Sequence, residues 1–435
     1  MNQLRISRRG TWRGIIGCAA VTAIIGASAV TAGPGADAAT TDTVSATPAA
    51  WTPYLNSADS TIEQLVPTAS TMYAVGTFSS IKDSSGRTFA RNNVFAFSLT
   101  TGAVSPWVAN ANGTVYSAAV SADGQWVYLG GAFSSVNGVP ANKLAKVSAS
   151  TGAVDRTFNA RAGAAVRALI LRGAHLIVGG QFTSIGGVNR TAMASISPIT
   201  GADDGYVNLS VSGTESSTAD VTRVINFELS HGGTRLLAMG NFTSVAGQAR
   251  RHIFMVDLGT TSTTLDGWSS PLFLQPCYST IPLYIQAAGW TPDDNEVVIA
   301  TTGYKGQSPL CDTASMWLSS GTNLSPLWIN RTGCDSLYST VVTSTTVYVG
   351  GHERYLNNNA CDTAGTTAVS RPGIGAIGLT TGLATSWNPT RSRGHAADDM
   401  VLTAQGLWVA SDNTQEAYYC AGKWHPGLCM FPYGT

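Results

Sequence analysis

The residues best suited to chemistry in this sequence are acids and guanidinium groups. Aligning its β-rich runs brings Glu63, Arg167, Arg223, Asp335, Asp398 and Asp399 to one level. A guanidinium fork recognises a carboxylate-bearing ligand, and paired carboxylates carry glycosidic or lyase chemistry. The same set reads equally well as solvated polar residues around a water-filled channel. No Gly-x-Ser-x-Gly elbow, His-Glu-x-x-His pair or phosphate loop occurs, and His352-Glu353 lacks the second His. Residues 373–378 (GIGAIG) match the dinucleotide fingerprint, which requires a strand before it and a helix after it. They align instead with NVFAFSLTTG of another unit, which makes them a strand. No catalytic residue, cofactor or metal is assigned.

Contact chemistry is the stronger expectation. Tyr418, Tyr419, Trp424 and His425 crowd a short segment with one Pro and two Gly, a rigid aromatic display suited to docking a protein or sugar. Local packing over the last repeat is the alternative. Gln125, Gln248, Gln307 and Gln405 fall in turns, where glutamines are accessible as acyl donors for an extracellular transglutaminase or are simply solvated.

Six cysteines follow residue 38, an even number in an exported chain, which implies three disulfides. Cys277 precedes the first strand of one repeat and Cys311 follows its second strand, while Cys334 and Cys361 occupy the same two places one repeat later. Equivalent positions bond equivalently, so the expected pairs are Cys277 with Cys311, Cys334 with Cys361, and Cys420 with Cys429. No Cys-x-x-Cys pair or suitably spaced His supports a metal site.

The export reading rests on residues 1–38. Arg5, Arg8, Arg9 and Arg13 precede an apolar run over 15–32, and Ala36-Asp37-Ala38 offers small residues for cleavage after Ala38. Ser7-Arg8-Arg9 only loosely matches a twin-arginine signal, and the apolar stretch lies on the wrong side of Cys18 for a lipid anchor. Among 435 residues, 25 are basic and 25 acidic, only 11% in all, which argues against a nucleic-acid partner. No apolar run of spanning length follows residue 40, so residues 39–435 are expected to form one secreted domain without a membrane segment, a monomer.

What must position these residues is a repeat. With 47 Gly, 17 Pro and long Ser/Thr runs, the chain is poor in helix formers and rich in turn and strand formers. VYLGGAFSSVNGVP from Val127 matches LIVGGQFTSIGGVN from Leu176, and worn copies place anchors at Gly76, Gly131, Gly180, Gly240, Gly303, Gly351 and Ser411. The mean period is about 56 residues. Each unit holds four short β-rich runs, which is one propeller blade. An aromatic follows each of the first six anchors (Trp107, Phe158, Tyr206, Trp268, Trp328, Trp387), where it would fill the gap between blades. The sequence therefore predicts an all-β, seven-bladed propeller of four-stranded antiparallel blades. Only 24 residues follow Ser411, so Trp51–Leu55 is expected to supply the missing strand and close the ring.

The recurring GG-x-F-[ST]-S-[VI]-x-G…TG unit resembles the delta-sixty type of repeat of bacterial secreted β-propellers. With the export signal, the chain is similar to exported actinobacterial proteins of that kind, including the autolysis-inducing propellers of streptomycetes. That resemblance implies a non-enzymatic protein that binds a secreted thermolysin- or dispase-like metalloprotease and promotes its autolysis, with cross-linking by transglutaminase. It carries over no contact residue. A carbohydrate-binding or carbohydrate-active propeller using the channel mouth is the alternative.

Overall fold

The computed structural model describes residues 43–215, 220–278, 281–303, 308–391, 397–413, 419–420 and 423–434. The expected signal peptide, 1–38, lies outside them. Apart from one 3-10 turn at Pro271–Leu274, the regular elements described are strands.

The repeats fold into successive antiparallel sheets. Ser60–Pro67, Thr71–Thr77 and Val94–Ser98 form the first, and Val115–Val120, Trp126–Gly131 and Leu144–Ser148 the next. Val166–Arg172, His175–Gly180 and Met193–Ile196 follow. Two four-stranded sheets come next, starting at Arg223–Leu229 and Tyr284–Trp290; elsewhere the expected fourth strand is reduced to a single bridge, as between Phe97 and Val104, Val147 and Val154, Ile196 and Asp203, and Ile377 and Ala384. Leu337–Val342, Thr346–Gly351 and Ile374–Gly378 form another, so the GIGAIG run is a third strand, as its alignment indicates. The last set is Ala397–Thr403, Gly406–Asn413 and Leu428–Pro432. Each first strand lies against the first strand of the next sheet, and Ala397–Thr403 lies against both Leu337–Val342 and Ser60–Pro67.

Burial from both sides explains why second strands read as continuous apolar runs rather than alternating ones, as in LIVGG of His175–Gly180. The glycine that ends these strands is dictated by close approach. A Cβ on Gly76 would sit 2.0 Å from the Thr61 carbonyl oxygen, and one on Gly240 2.0 Å from that of Arg223.

The core lies between sheets, and the repeated aromatics fill it. Trp107 meets Tyr73 edge-on at 5.2 Å and donates its Nε1–H to the Ser148 carbonyl, 2.9 Å away on the following sheet. Trp268 does the same to Leu318 (2.9 Å), Trp328 to Leu379 (2.7 Å), and the Tyr206 hydroxyl to Gly259 (2.8 Å). All three expected disulfides are present: Cys277–Cys311, Cys334–Cys361 and Cys420–Cys429. They fit an oxidising compartment.

The N-terminal segment departs from expectation. Trp51–Leu55 does not pair with the last sheet; Tyr54–Leu55 pairs instead with Ser80–Lys82. The residues that bond Leu428–Pro432 lie earlier. Val44 bridges Tyr433, Ser45 N–H donates to the Pro432 carbonyl (2.7 Å), and Ala49 N–H donates to that of Met430 (2.8 Å). Trp51 then packs on Trp408, ring centroids 5.7 Å apart.

Candidate functional site

Every first strand carries a β-bulge at the same place. The ladder skips one residue in each: Glu63, Tyr116, Arg167, Ile225, Gln286, Tyr338 and Asp398. A bulge re-aims the extra residue and bends its strand, so these seven side chains mark one shared level where the first strands meet.

The neighbouring residues stitch adjacent sheets together. Ala118 N–H donates to Gln64 Oε1 (2.7 Å), Leu169 N–H to Ser117 Oγ (3.1 Å), and Leu65 N–H to Asp399 Oδ2 (2.7 Å). Ser339 Oγ donates to the Ala397 carbonyl, and Asn226 Nδ2 to that of Gln286 (3.4 Å). Asp399 is thus a buried strut between the last sheet and the first.

Of the six charged residues aligned from sequence, the structure brings Glu63, Arg167 and Asp398 to the bulges. The other three fall elsewhere. Arg223 sits two positions before its bulge, paired with Asp220 at 2.5 Å, and Ile225 takes the expected place. Asp335 precedes Tyr338 by three and is gripped through both oxygens by Arg354, at 2.8 Å (Oδ2) and 3.1 Å (Oδ1). Tyr116, Gln286 and Tyr338 were not among the sequence candidates. Their signal is positional: each immediately follows the apolar residue that opens the regular ladder.

Electrostatics differ around this level. The Arg167 guanidinium lies 3.8 Å from the Tyr116 ring centroid; burial disfavours its charge, and the Arg223 guanidinium does too. Burial likewise pushes the Tyr338 hydroxyl up to about 12, with Asp398, Asp312 and Asp412 adding to it. Burial raises the Asp312 carboxyl to about 6. Glu353 is 0% exposed, neither carboxyl oxygen makes a hydrogen bond of good geometry, and burial raises it well above the usual carboxylate range against the pull of the nearby Glu353 and Gly351 backbone N–H groups. It occupies the slot that Phe78, Phe133, Phe182 and Phe242 fill in other repeats, a break in the period readable from sequence.

The aromatic segment is only partly a display. Trp424 is 57% exposed, on a two-residue ribbon with Tyr419 opposite it. His425 faces inward: Nε2 lies 3.1 Å from both the Thr52 carbonyl and its hydroxyl, Nδ1 contacts the Leu428 carbonyl, and the Tyr54 ring is 5.2 Å away. It pins the N-terminal segment to the last sheet. Tyr418 and Gln307 lie outside the described residues. Gln125 is exposed in a turn, Gln248 is exposed on a short edge strand where its Oε1 accepts from Arg250, and Gln405 is half-buried in a turn. Among the described residues, no group of three or more His, Cys, Asp or Glu could hold a metal ion.

Residues 121–158 match a family described as a β-propeller domain of unknown function, DUF5122. No curated protein sequence matches the chain. Among solved structures, the WD40 repeats of RRP9 are similar with a TM-score of 0.53 at 12% identity, covering 90% of this chain and 100% of that one. U3-55K is similar with a TM-score of 0.51 at 12% identity, covering 87% and 97%. At such identity the likeness is one of fold: the chain is an all-β protein with propeller architecture.

Proposed function

We propose that this chain is a secreted, seven-bladed propeller that acts by docking to another extracellular protein, without catalysis. The first and last sets are joined through Ser60 opposite Asn413 and Thr61 opposite Asp412, and counting them separately supports the reading of seven blades. The adjacency of Ala397–Thr403 to Ser60–Pro67, the Asp399 strut to Leu65, and the bonds from residues 44–49 to Leu428–Pro432 speak for a ring closed by its termini.

One observation carries the preference for docking over hydrolysis. Asp335 is held bidentate by Arg354, and Asp399 holds a backbone N–H, so two of the carboxylates nominated for chemistry serve the scaffold. Proton transfer requires a carboxyl group within reach of substrate. Exposed Trp424, stiffened by the adjacent Cys420–Cys429 bridge, has the character of an interface anchor.

The resemblance to the dispase autolysis-inducing protein of streptomycetes supplies the partner: a secreted thermolysin-like metalloprotease, with transglutaminase acting on exposed glutamines. Incubation of the purified propeller with such a protease is expected to shorten the protease's active life. Trp424→Ala should weaken that effect and Asp398→Ala should leave it intact. An unchanged protease lifetime defeats the proposed partner, and polysaccharide cleavage lost in Asp398→Ala defeats the non-catalytic reading.

A further inference from the structure

Arg167 stands out among the bulged residues. Its Nε is buried without a hydrogen-bond partner, and among the described residues its guanidinium makes no hydrogen bond or ion pair. Its one partner is the Tyr116 face, 3.8 Å away on the preceding sheet. Most other partly buried arginines here find acceptors: Arg354 on Asp335, Arg190 on Asp203, Arg235 on Ser319 and Asp294. The five N–H donors of a guanidinium form a planar fork, and a ring face satisfies none of them. Burial already disfavours the charge on Arg167, and Arg223, on the next sheet, adds a second positive group whose own Nη1 is held by Asp220. The Arg167 guanidinium is thus left without an anionic partner among the described residues, on a side chain that remains only half-buried and therefore reachable from solvent.

We infer that Arg167, stacked on Tyr116 and backed by Arg223, is a binding site for a small carboxylate. Two coplanar oxygens match the fork, forming a pair of charge-assisted bonds in a place where water is already partly excluded. Tyr116, 3.8 Å below the guanidinium carbon, occupies one face of the fork and leaves its edge for a flat anion. The site is independent of the proposed protein docking and needs only the sheets that begin at Val115, Val166 and Arg223.

Sodium acetate and sodium succinate, each against sodium chloride at matched ionic strength, provide the test. A saturable rise in the thermal unfolding midpoint of the full mature chain is expected with the carboxylates, since a ligand that binds only the folded state raises stability by mass action. Arg167→Met should weaken binding at least about tenfold. Arg167→Lys, which keeps the charge and loses the fork, should bind measurably but more weakly. If Arg167→Met does not fold, the Arg167→Lys comparison and the line broadening of carbon-13 acetate with the wild-type protein decide the matter. A midpoint that tracks chloride alone, or saturation undiminished in the variants, overturns the inference.

Discussion

Replacing Glu353 by Phe should make this protein more stable and flatten its pH dependence. The repeat supplies its own control. Phe78, Phe133, Phe182 and Phe242 are 5%, 1%, 0% and 0% exposed, and their carbonyls accept from Asn93, Lys143, Ala192 and His252. The Glu353 carbonyl accepts from Gly373 at 2.8 Å in the same way, so the backbone path is kept while an acid replaces the ring. Both carboxyl oxygens are buried without a hydrogen bond of good geometry. Burial raises the pKa most; the backbone N–H groups of Glu353 and Gly351 and the Arg391 guanidinium work against that, and Asp335 works with it.

The sign follows from proton linkage. A carboxyl raised in the folded state binds its proton more tightly there than in the unfolded chain. Its contribution is therefore complete below the unfolded value, about 4.3, and is lost as pH rises, by about 1.4 kcal/mol per unit until the folded value is passed. Asp312, raised to about 6, adds a parallel loss, so the difference between wild type and variant isolates Glu353. Glu353→Gln removes the ionisation and should flatten the slope by one proton. Glu353→Phe should also gain about 1.5–3 kcal/mol from the buried ring at pH 7.5. Arg391 retains its 3.2 Å bond to the Gly373 carbonyl. Denaturant midpoints of the three proteins at pH 4.5, 6 and 7.5 give both quantities. A Phe variant less stable than wild type at pH 7.5, with wild-type slope retained in the Gln variant, would show that Arg391 keeps Glu353 ionised and that the reasoning is wrong.

Two further outcomes follow from packing and titration. Trp268, 1% exposed and bonded to the Leu318 carbonyl, should cost about 3–5 kcal/mol when replaced by Ala, read as a lower thermal midpoint, because the gap between sheets cannot collapse around a missing indole. Burial lowers the His425 pKa, so its contribution is present above about 6.5 and lost as pH falls, at no more than about 1.4 kcal/mol per unit. The loss should appear at pH 5 as faster proteolysis within residues 43–55, and His425→Gln should remove that pH dependence.

The period, the third strand at Ile374–Gly378, the gap-filling aromatics and all three disulfides were legible in the letters because each repeats, and repetition separates a packing requirement from accident. The bulges were not legible. One extra residue shifts which side chain faces the shared level while leaving the hydrophobic pattern almost untouched, so Arg223 and Asp335 looked equivalent to Arg167 although Ile225 and Tyr338 take those places.

The N-terminal register is hidden in the sequence for a related reason. In several repeats the residue that bridges the third strand comes before the aromatic, as Val104 precedes Trp107, Val154 precedes Phe158 and Ala384 precedes Trp387, whereas Trp328 itself pairs with Met316. Taking Trp51 as the start of a strand put the aromatic at the wrong end; applying the internal offset carries the pairing back to residues 44–49, where it is found. The same comparison gives the breaks in the period their meaning. Four residues after the aromatic stand Ala111 and Ala162, each packed in a sheet interface, whereas the equivalent place after Trp387 holds buried Arg391. That exception and the Glu353-for-Phe exception act on one another electrostatically. Two departures from a repeat that meet in space are better explained as one coupled change than as two, and the order in which they arose can be tested. If an acid was tolerated only once a cation faced it, Arg391→Ala should destabilise the wild-type protein more than it destabilises the Glu353→Phe variant.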